Sequence, residues 1–448
     1  MFKTFINAWK VKDIRTKMLF TLLLIVVYRL GSFIPVPGVN AKVLSESMAN
    51  YDLLNFLNLF SGGSLSQFSL FAMGISPYIT GSIIVQLLTI AIPALERLSK
   101  EEDGRQKIEK ITRYVGVGLA AIQSITIIVT LQNYNSEILK PLSFFGTESI
   151  IFTYITIGIC CTAGTAFLMW MGERITEKGI GNGISMLIFA SIIASVPQVV
   201  YRIATGWEIF PWAHKIAGNT IIRWYKPLVV IAVTLILVVG ICLVDKAVRR
   251  IPVQYAKRVV GRKLYGGQST HIPMKANANG VMPLIFAMTL LQVPGMIGQF
   301  FSNQDAGFPL FVKTYLSSSS DNIAGIIIYN LLYGLLIIGF AYFYSTISFN
   351  AVDISKNLQQ NGGFIPGIRP GKPTSDYLQK KSNRLTLFGA LYLCVIAIVP
   401  SILLSVLKID LLSRFGATSI LIMVSVALET AEQLDSLLLM RHYKGFLG

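Results

Sequence analysis

Charge is scarce in this chain. Only 14% of its 448 residues are Asp, Glu, Lys or Arg, where a soluble protein carries about 25%. That deficit excludes an ordinary solvated globule. Cysteine is scarce too. Cys160, Cys161, Cys242 and Cys394 all lie in apolar blocks, and none has CxxC spacing. They imply neither a disulfide framework nor a zinc site and read as small core residues. The three histidines, His214, His271 and His442, are scattered, so their spacing offers no convergent metal ligands. No Ser/His/Asp, Cys/His or paired-carboxylate arrangement is readable, which argues against an enzyme. Segments of alternating apolar and polar residues are missing as well, and with them a transmembrane barrel.

What remains is apolar. Hydrophobic residues make up 53% of the chain, and the mean hydropathy is +0.61. They come in long blocks, the pattern of a polytopic helical membrane protein. Ten candidate spans fall near residues 18–35, 75–92, 114–131, 151–171, 183–200, 227–244, 281–300, 323–345, 385–406 and 416–435. Lys3, Lys10, Lys12, Arg15 and Lys17 precede the first block, like the basic region of a signal peptide. No small-residue cleavage site follows, so an uncleaved first span is expected. Phe2, Phe5, Ile6 and Trp9 share one helical face, which suits a short amphipathic helix on the inner membrane surface within residues 1–17.

The net charge of +17 invites a nucleic-acid reading. The loops offer another account. With the N-terminus inside, residues 1–17, 94–113, 172–182, 245–280, 346–384 and 436–448 hold 29 of the 39 Lys and Arg. The outer segments hold nine, and Arg29 sits in a span near enough to the outer interface to snorkel. The positive-inside rule then places both termini in the cytoplasm, residues 436–448 being the tail. Residues 245–280 and 346–384 are longer and more basic than simple connections need. The first carries eight basic residues against one acidic. Both read as docking surfaces.

Inside the spans ionisable groups are few. Glu429, Glu432 and Asp435 crowd the inner end of the last one, and no mid-span Asp, Glu or Lys array appears. Ion-coupled carriers usually need such an array. Small polar residues such as Thr80, Ser82, Gln86, Thr89 and Gln123 stand there instead. Residues 62–93 read GGSLSQFSLFAMGISPYITGSIIVQLLTIAIP. The apolar stretch from Leu65 to Met73 is about half the length a bilayer requires. Such a piece is tolerable at membrane depth only if protein buries it or it lines a cavity. The pattern therefore points to a wet or plugged centre. Two glycine motifs carry less. Gly179-Ile-Gly-Asn-Gly183 precedes a helix but lacks phosphate-loop spacing, and Gly116-x-Gly118-x-x-Ala121 lies inside a span, where glycines permit close helix packing. The isoleucine pairs Ile75/Ile79 and Ile184/Ile188 are one helical turn apart and by themselves say no more than core or lipid-facing packing.

Several further stretches carry a resemblance. Phe33-Ile-Pro-Val-Pro-Gly38, Gly62-Gly-Ser-Leu-Ser66, Ile75-Ser-Pro-Tyr-Ile79 and Ile83-Ile-Val-Gln-Leu-Leu-Thr89 lie in the first part. Gly172-Glu-Arg-Ile-Thr176, Gly179-Ile-Gly-Asn-Gly-Ile-Ser185 and Arg249-Arg-Ile-Pro-Val-Gln-Tyr-Ala-Lys-Arg258 follow, then Gln268-Ser-Thr-His-Ile-Pro273 and Phe364-Ile-Pro-Gly-Ile-Arg-Pro-Gly371. In this order, across essentially the whole chain, they resemble the SecY family, central subunits of the bacterial protein-conducting channel.

The resemblance implies an all-α membrane protein of ten transmembrane helices in two five-helix halves around a pore. The halves would be residues 18–200 and 227–435, joined outside by 201–226. A short re-entrant plug helix is implied at about 62–73, with Gly62, Gly63, Ser64, Leu65, Phe68, Leu70 and Phe71 in it. The pore ring would be Ile75, Ile79, Ile184, Ile188, Ile285 and Ile422, and Thr80, Gln86 and Asn277 match the lateral gate between the second and seventh spans. Asn279 departs from the small apolar residue usual in relatives, and the tail after Arg441 is shorter than in some of them. Arg249, Arg250, Lys257, Arg258 and Arg369 match docking positions for the motor ATPase SecA and the ribosome, including its rRNA.

SecE and SecG would complete a heterotrimer. Signal sequences and membrane lipids would meet the gate, and accessory Sec subunits and YidC would be further partners. The family implies no cofactor and no catalysis, energy coming from SecA, translation or the proton-motive force. The missing transit peptide favours a bacterial plasma membrane over a plastid. Two other classes share some of these features. A solute transporter shares the broken helix but lacks its carboxylates, and an intramembrane protease lacks its catalytic pair. Co-sedimentation of ribosomes or SecA with membranes holding the protein is expected of the channel and of neither rival.

Overall fold

The computed structural model describes residues 2–48, 58, 61–99, 101, 103–134, 138–144, 147–205, 225–255, 258–260, 263–265, 269–278, 280–298, 301, 307–316, 323–406 and 417–444. Its first part holds α1 (Phe2–Lys10), α2 (Lys12–Gly31), α3 (Ala41–Met48), α4 (Ser76–Ala91), α5 (Pro93–Ser99) and α6 (Gly104–Tyr134). A small ribbon of β1 (Leu142–Phe144) and β2 (Thr147–Ser149) leads to α7 (Ile150–Lys178), α8 (Gly183–Thr205) and α9 (Tyr225–Asp245). Then come β3 (Val248–Tyr255), β4 (Arg258–Val260), β5 (Lys263–Tyr265) and β6 (Ser269–Lys275). Last are α10 (Met282–Gly298), α11 (Gly307–Tyr315), α12 (Ile323–Ser348), α13 (Ala351–Gln360), β7 (Gly363–Phe364), α14 (Lys372–Val406) and α15 (Ala417–Lys444).

Among the described residues, four helical stretches are long and apolar enough to cross a membrane: Gln106–Val129, Ile150–Lys178, Ala324–Gln360 and Lys372–Pro400. A fifth is the pair α4 and α5, bent by 104° at Ile92. Pro93 causes that break, because its ring disfavours helical backbone at the residue before it. Shorter apolar helices run over Gly183–Pro197, Ala232–Asp245 and Met282–Gly295. Their outward faces are apolar at helical spacing. Ile151, Ile155 and Ile159 are exposed on α7, Ile327, Leu331 and Leu335 on α12, and Leu391, Val395 and Val399 on α14. Exposed stripes of that kind belong in lipid, so the chain is a multi-pass membrane protein.

Helix packing runs in two chains of neighbours. α4 packs on α6, α6 on α7, and α7 on α8 and α2; α9 packs on α15, α15 on α14, α14 on α12, and α12 on α10. Contacts of α8 with α15 and of α4 with α10 join the two sets. One crossing depends on glycine. A Cβ at Gly81 would lie 3.0 Å from the Gly116 Cα, so α4 and α6 approach backbone to backbone. Gly116 thus has the packing role expected of it, whereas a side chain at Gly118 would meet nothing.

The two basic segments are more ordered than loops. β3 pairs antiparallel with β6 from Val248↔Lys275 to Gln254↔Ser269, and β7 joins its other edge at Gln254↔Phe364 and Tyr255↔Gly363. Residues 245–280 and 346–384 therefore share one three-stranded sheet. Ile251 and Val253 alternate inward on β3. They pack with Met274, Ala351, Leu358, Ile365 and Leu378 into a separate apolar core. Asn350 starts α13 by accepting the N–H groups of Val352 and Asp353 at 3.1 and 3.3 Å. The module has its own core, so Ile251→Ala should weaken it by about 2–4 kcal/mol. Limited trypsin digestion should then cut residues 245–280 faster than in the parent, while the exposed change Lys356→Gln leaves cleavage there unaltered.

Candidate functional site

Residues 61–75 contain no helix. They form consecutive turns, which corrects the expected plug helix. Gly62, Gly63 and Gly74 have φ of 65°, 86° and 58°, and Phe68 has 44°. A helix cannot pass through left-handed backbone. Side chains also compete for the amides that a helical ladder would use. Ser61 Oγ accepts the Leu65 N–H at 3.2 Å, and Asn58 Oδ1 accepts the Ser66 N–H at 2.9 Å. Neighbouring chain satisfies more. The Val36 N–H donates to the Phe68 carbonyl, and the Leu70 N–H to the Ile34 carbonyl, each at 2.9 Å.

Helices hold the segment on three sides. The Tyr28 hydroxyl of α2 lies 3.1 Å from the Ser61 carbonyl and 2.6 Å from Ser191 Oγ of α8. Each hydroxyl has one proton, so Tyr28 donates to Ser61 only while Ser191 donates to Tyr28. Arg29 Nη1, also of α2, donates to the Gly62 carbonyl at 3.0 Å. α2 and α7 approach the segment through glycines. A Cβ at Gly31 would overlap the Phe71 ring, and one at Gly164 would overlap the Leu70 carbonyl. Phe71 stacks between Tyr28 and Phe167, with centroids 5.8 and 6.1 Å away.

The segment separates two apolar clusters. Leu65, Phe68, Ala72 and Met73 pack with Val36, Leu44, Ile138 and Ile157. Phe71 points the other way, into the largest cluster of the molecule, with Leu70 packed against it. That second cluster contains all six isoleucines of interest. Ile75 precedes α4 and Ile79 is one turn on, Ile184 and Ile188 open α8, Ile285 is on α10 and Ile422 on α15. Five of them are buried and Ile184 is half-buried. Two buried hydroxyls of the segment, those of Ser64 and Ser69, have no hydrogen-bond partner among the described residues.

The polar gate candidates are not joined to one another. α4 touches α10, but Thr80 Oγ1 donates to the Ser76 carbonyl of its own helix and Gln86 Nε2 to Ser82 Oγ. Gln86 Oε1 is buried without a hydrogen bond among the described residues, with Tyr344 nearby. Asn277 Nδ2 donates to Asp245 Oδ1 at 3.1 Å, and Ser425 Oγ of α15 donates to Asp245 Oδ2 at 2.5 Å. Asn277 is thus tied to α9 and α15. Asn279 lies outside the described residues.

Arg249 and Arg250 are exposed on β3, and Arg369 is exposed in the turn after β7. Its carbonyl accepts the Thr374 hydroxyl at 2.8 Å. Arg258 is on β4, and Lys257 lies outside the described residues. In the loop Gly179–Gly183 four of the five amides are engaged by protein, the Gly179 N–H by the Ile175 carbonyl. Ile180 N–H donates to Thr21, Gly181 N–H to Gln433 and Gly183 N–H to Thr176. It braces α2, α7 and α15 and leaves no nest for phosphate. Sequence reasoning missed Tyr28, Ser191, Asp245 and Ser425. Asp245 is the single carboxylate of its segment, which is a readable signal; a tyrosine and two serines in spans are not.

Residues 69–431 match the sequence model of the SecY family. The chain belongs to the SecY family. It is 45% identical to a protein translocase subunit SecY of Streptomyces galbus, over 100% of both chains. Two solved channels share its fold. One is a SecY protein whose plug domain stabilises the closed state and maintains a membrane seal, with TM-score 0.63, 17% identity, and 94% of this chain and 92% of that one covered. The other is Sec61 in a canine ribosome–channel complex from the endoplasmic reticulum, with TM-score 0.61, 17% identity and the same coverage. In this SecY-family chain the hold on residues 61–75 is testable without assuming a function. Tyr28→Phe removes the hydroxyl between Ser61 and Ser191, a loss of about 1–2 kcal/mol. Amide hydrogen exchange over residues 61–73 should accelerate roughly tenfold, with exchange in α14 unchanged.

Proposed function

We propose that this chain is the pore-forming subunit of a protein-conducting channel, passing unfolded polypeptides across the membrane and releasing apolar segments sideways into lipid. One observation carries the reading. Six isoleucines from four separate parts of the chain meet in a single apolar cluster, and a non-helical, non-spanning segment inserts Phe71 into it. Ile75, Ile79, Ile184, Ile188, Ile285 and Ile422 form the constriction. Branched apolar side chains dewet a narrow collar and so bar hydrated ions. They also offer a passing chain no fixed polar partner.

Residues 62–73 are the plug. The Tyr28 and Arg29 hydrogen bonds and the glycine notches favour its seated position. The unpartnered Ser64 and Ser69 hydroxyls oppose it, at about 1–3 kcal/mol for each buried hydroxyl. Such a segment seats closed yet leaves at moderate cost. The two sets of packed helices support a ten-span arrangement of two halves that part between α4 and α10. Thr80, Gln86 and Asn277 line that seam. Among the described residues none of the three bonds across it, so no polar latch opposes a signal helix that enters there.

The sheet module carries Arg249, Arg250 and Arg369, and the β4–β5 hairpin Arg258, to the driving partners, SecA or a translating ribosome; Lys257, outside the described residues, is assigned to the same docking set. The planar guanidinium suits carboxylate and rRNA phosphate alike. The excess of Lys and Arg in its segments supports a cytoplasmic position for it and for both termini, and the membrane of this reading is the bacterial plasma membrane. SecE and SecG accompany the chain in the membrane. The channel does no chemistry of its own and takes its energy from those partners or the proton-motive force.

The deciding experiment is reconstitution with SecE in liposomes, followed by addition of SecA, ATP and a secretory preprotein. Protease-protected preprotein that depends on ATP is the expected result. Correct insertion with no SecA binding would remove the reading. Arg369→Glu in the same assay should cut protection at least about tenfold while the subunit still inserts, because it reverses a charge at a docking contact. The ring has its own readout. Ile79→Gly with Ile188→Gly should raise resting ion conductance in planar bilayers, and conductance equal to the parent would dissociate these residues from the seal.

A further inference from the structure

Helix α14 begins polar and becomes apolar. Asp376, Lys380 and Arg384 stand one turn apart along it, and Gln379 and Asn383 form the adjacent row. Both rows line an open groove of about 430 Å³, with Tyr342 of α12 also in its wall. No hydrogen bond or ion pair engages Lys380 or Arg384 among the described residues. Asp376 stands in the same wall and pairs with neither. Gln379 Nε2 donates to Asn383 Oδ1 at 3.0 Å, which leaves the Asn383 amide protons unclaimed.

The groove ends where the lipid-facing surface starts. Leu387 lines it and is exposed, as are Phe388 and Leu391 on the following turn. Two cations with no partner among the described residues stand at the rim of an exposed apolar stripe, the kind of boundary that meets phospholipid headgroups in a bilayer. There each basic residue adds about fivefold to the affinity for an anionic surface. A phosphate between Lys380 and Arg384 would find charge and the Asn383 and Tyr342 donors together. The Asp376 carboxylate would repel a second phosphate but accept hydrogen bonds from headgroup hydroxyls. A headgroup with one phosphate and a polyol fits that combination.

We propose that the groove between α12 and α14 binds an anionic phospholipid with a hydroxylated headgroup, its phosphate on Lys380 and Arg384 and its acyl chain along Leu387 and Leu391. The groove's residues belong to neither the pore cluster nor the plug, while Leu378 of the same stretch of α14 packs into the core of the sheet module.

Native mass spectrometry of the detergent-solubilised full-length protein with its membrane partners tests this. The protein is equilibrated with phosphatidylglycerol or phosphatidylcholine and the retained lipid is counted. The parent should retain phosphatidylglycerol in preference. K380Q/R384Q should weaken that retention about tenfold or more, and K380R/R384K should restore it. K356Q/K372Q removes the same charge from exposed positions outside the groove and should retain lipid like the parent. Equal retention in every variant overturns the proposal, as does equal loss in K380Q/R384Q and K356Q/K372Q. Displacement of the lipid by millimolar inorganic phosphate would assign the groove to free phosphate and overturn it also. Retention of phosphatidylcholine as strong as that of phosphatidylglycerol removes the role given to charge.

Discussion

A stretch of chain too short to cross a bilayer must still satisfy its amides where there is little water, and the centre of this molecule is arranged around that requirement. Residues 61–75 meet it without a helix. Their N–H and carbonyl groups go to serine and asparagine side chains, to the 34–36 backbone, and to the Tyr28 and Arg29 side chains. Each solution imposes something on a neighbour. α2 must place a tyrosine and an arginine in adjacent positions. α2 and α7 must offer glycine at positions 31 and 164. α8 must bring Ser191 within reach of Tyr28. The segment in return supplies Phe71 to the isoleucine cluster and Phe68 to the other, so it closes two cores at once.

Much of this was legible in the sequence because bilayers act on composition. Low charge and long apolar blocks mark a helical membrane protein without reference to any contact. The short apolar stretch after Gly62 was legible for the same reason, since its length alone fails. Its conformation was not. An apolar run between glycines reads equally as a short helix, and only the left-handed backbone at Phe68 and the capture of amides by Ser61 and Asn58 decide against one. The isoleucines show the opposite limit. Pairs one turn apart are common on any helix. Their convergence from α4, α8, α10 and α15 is a property of tertiary packing and has no local signature.

The basic segments divide in the same way. Their charge marked them as surfaces, yet charge hid the sheet. The inward alternation of Ile251 and Val253 is only two residues long and stands among Arg249, Arg250 and Pro252. β7 is two residues long and lies more than 100 positions away from its partner strand, beyond what periodicity can link. Asp245 was readable as the one acid in a basic stretch. That it gathers Asn277 and Ser425 was not, because hydrogen bonds between distant small polar residues leave no pattern in composition.

The pairing of Gln254 with Phe364 and of Tyr255 with Gly363 makes a single lever of two segments. A load applied to the paired strands travels along β3 and β6 into α9 and α10, and across β7 into α13 and α14. Lys275 passes part of it to Glu432 of α15 through an ion pair of 2.6 Å. A pull on the sheet is therefore taken by a yoke fastened to several helices, and its torque is shared among them instead of bending one.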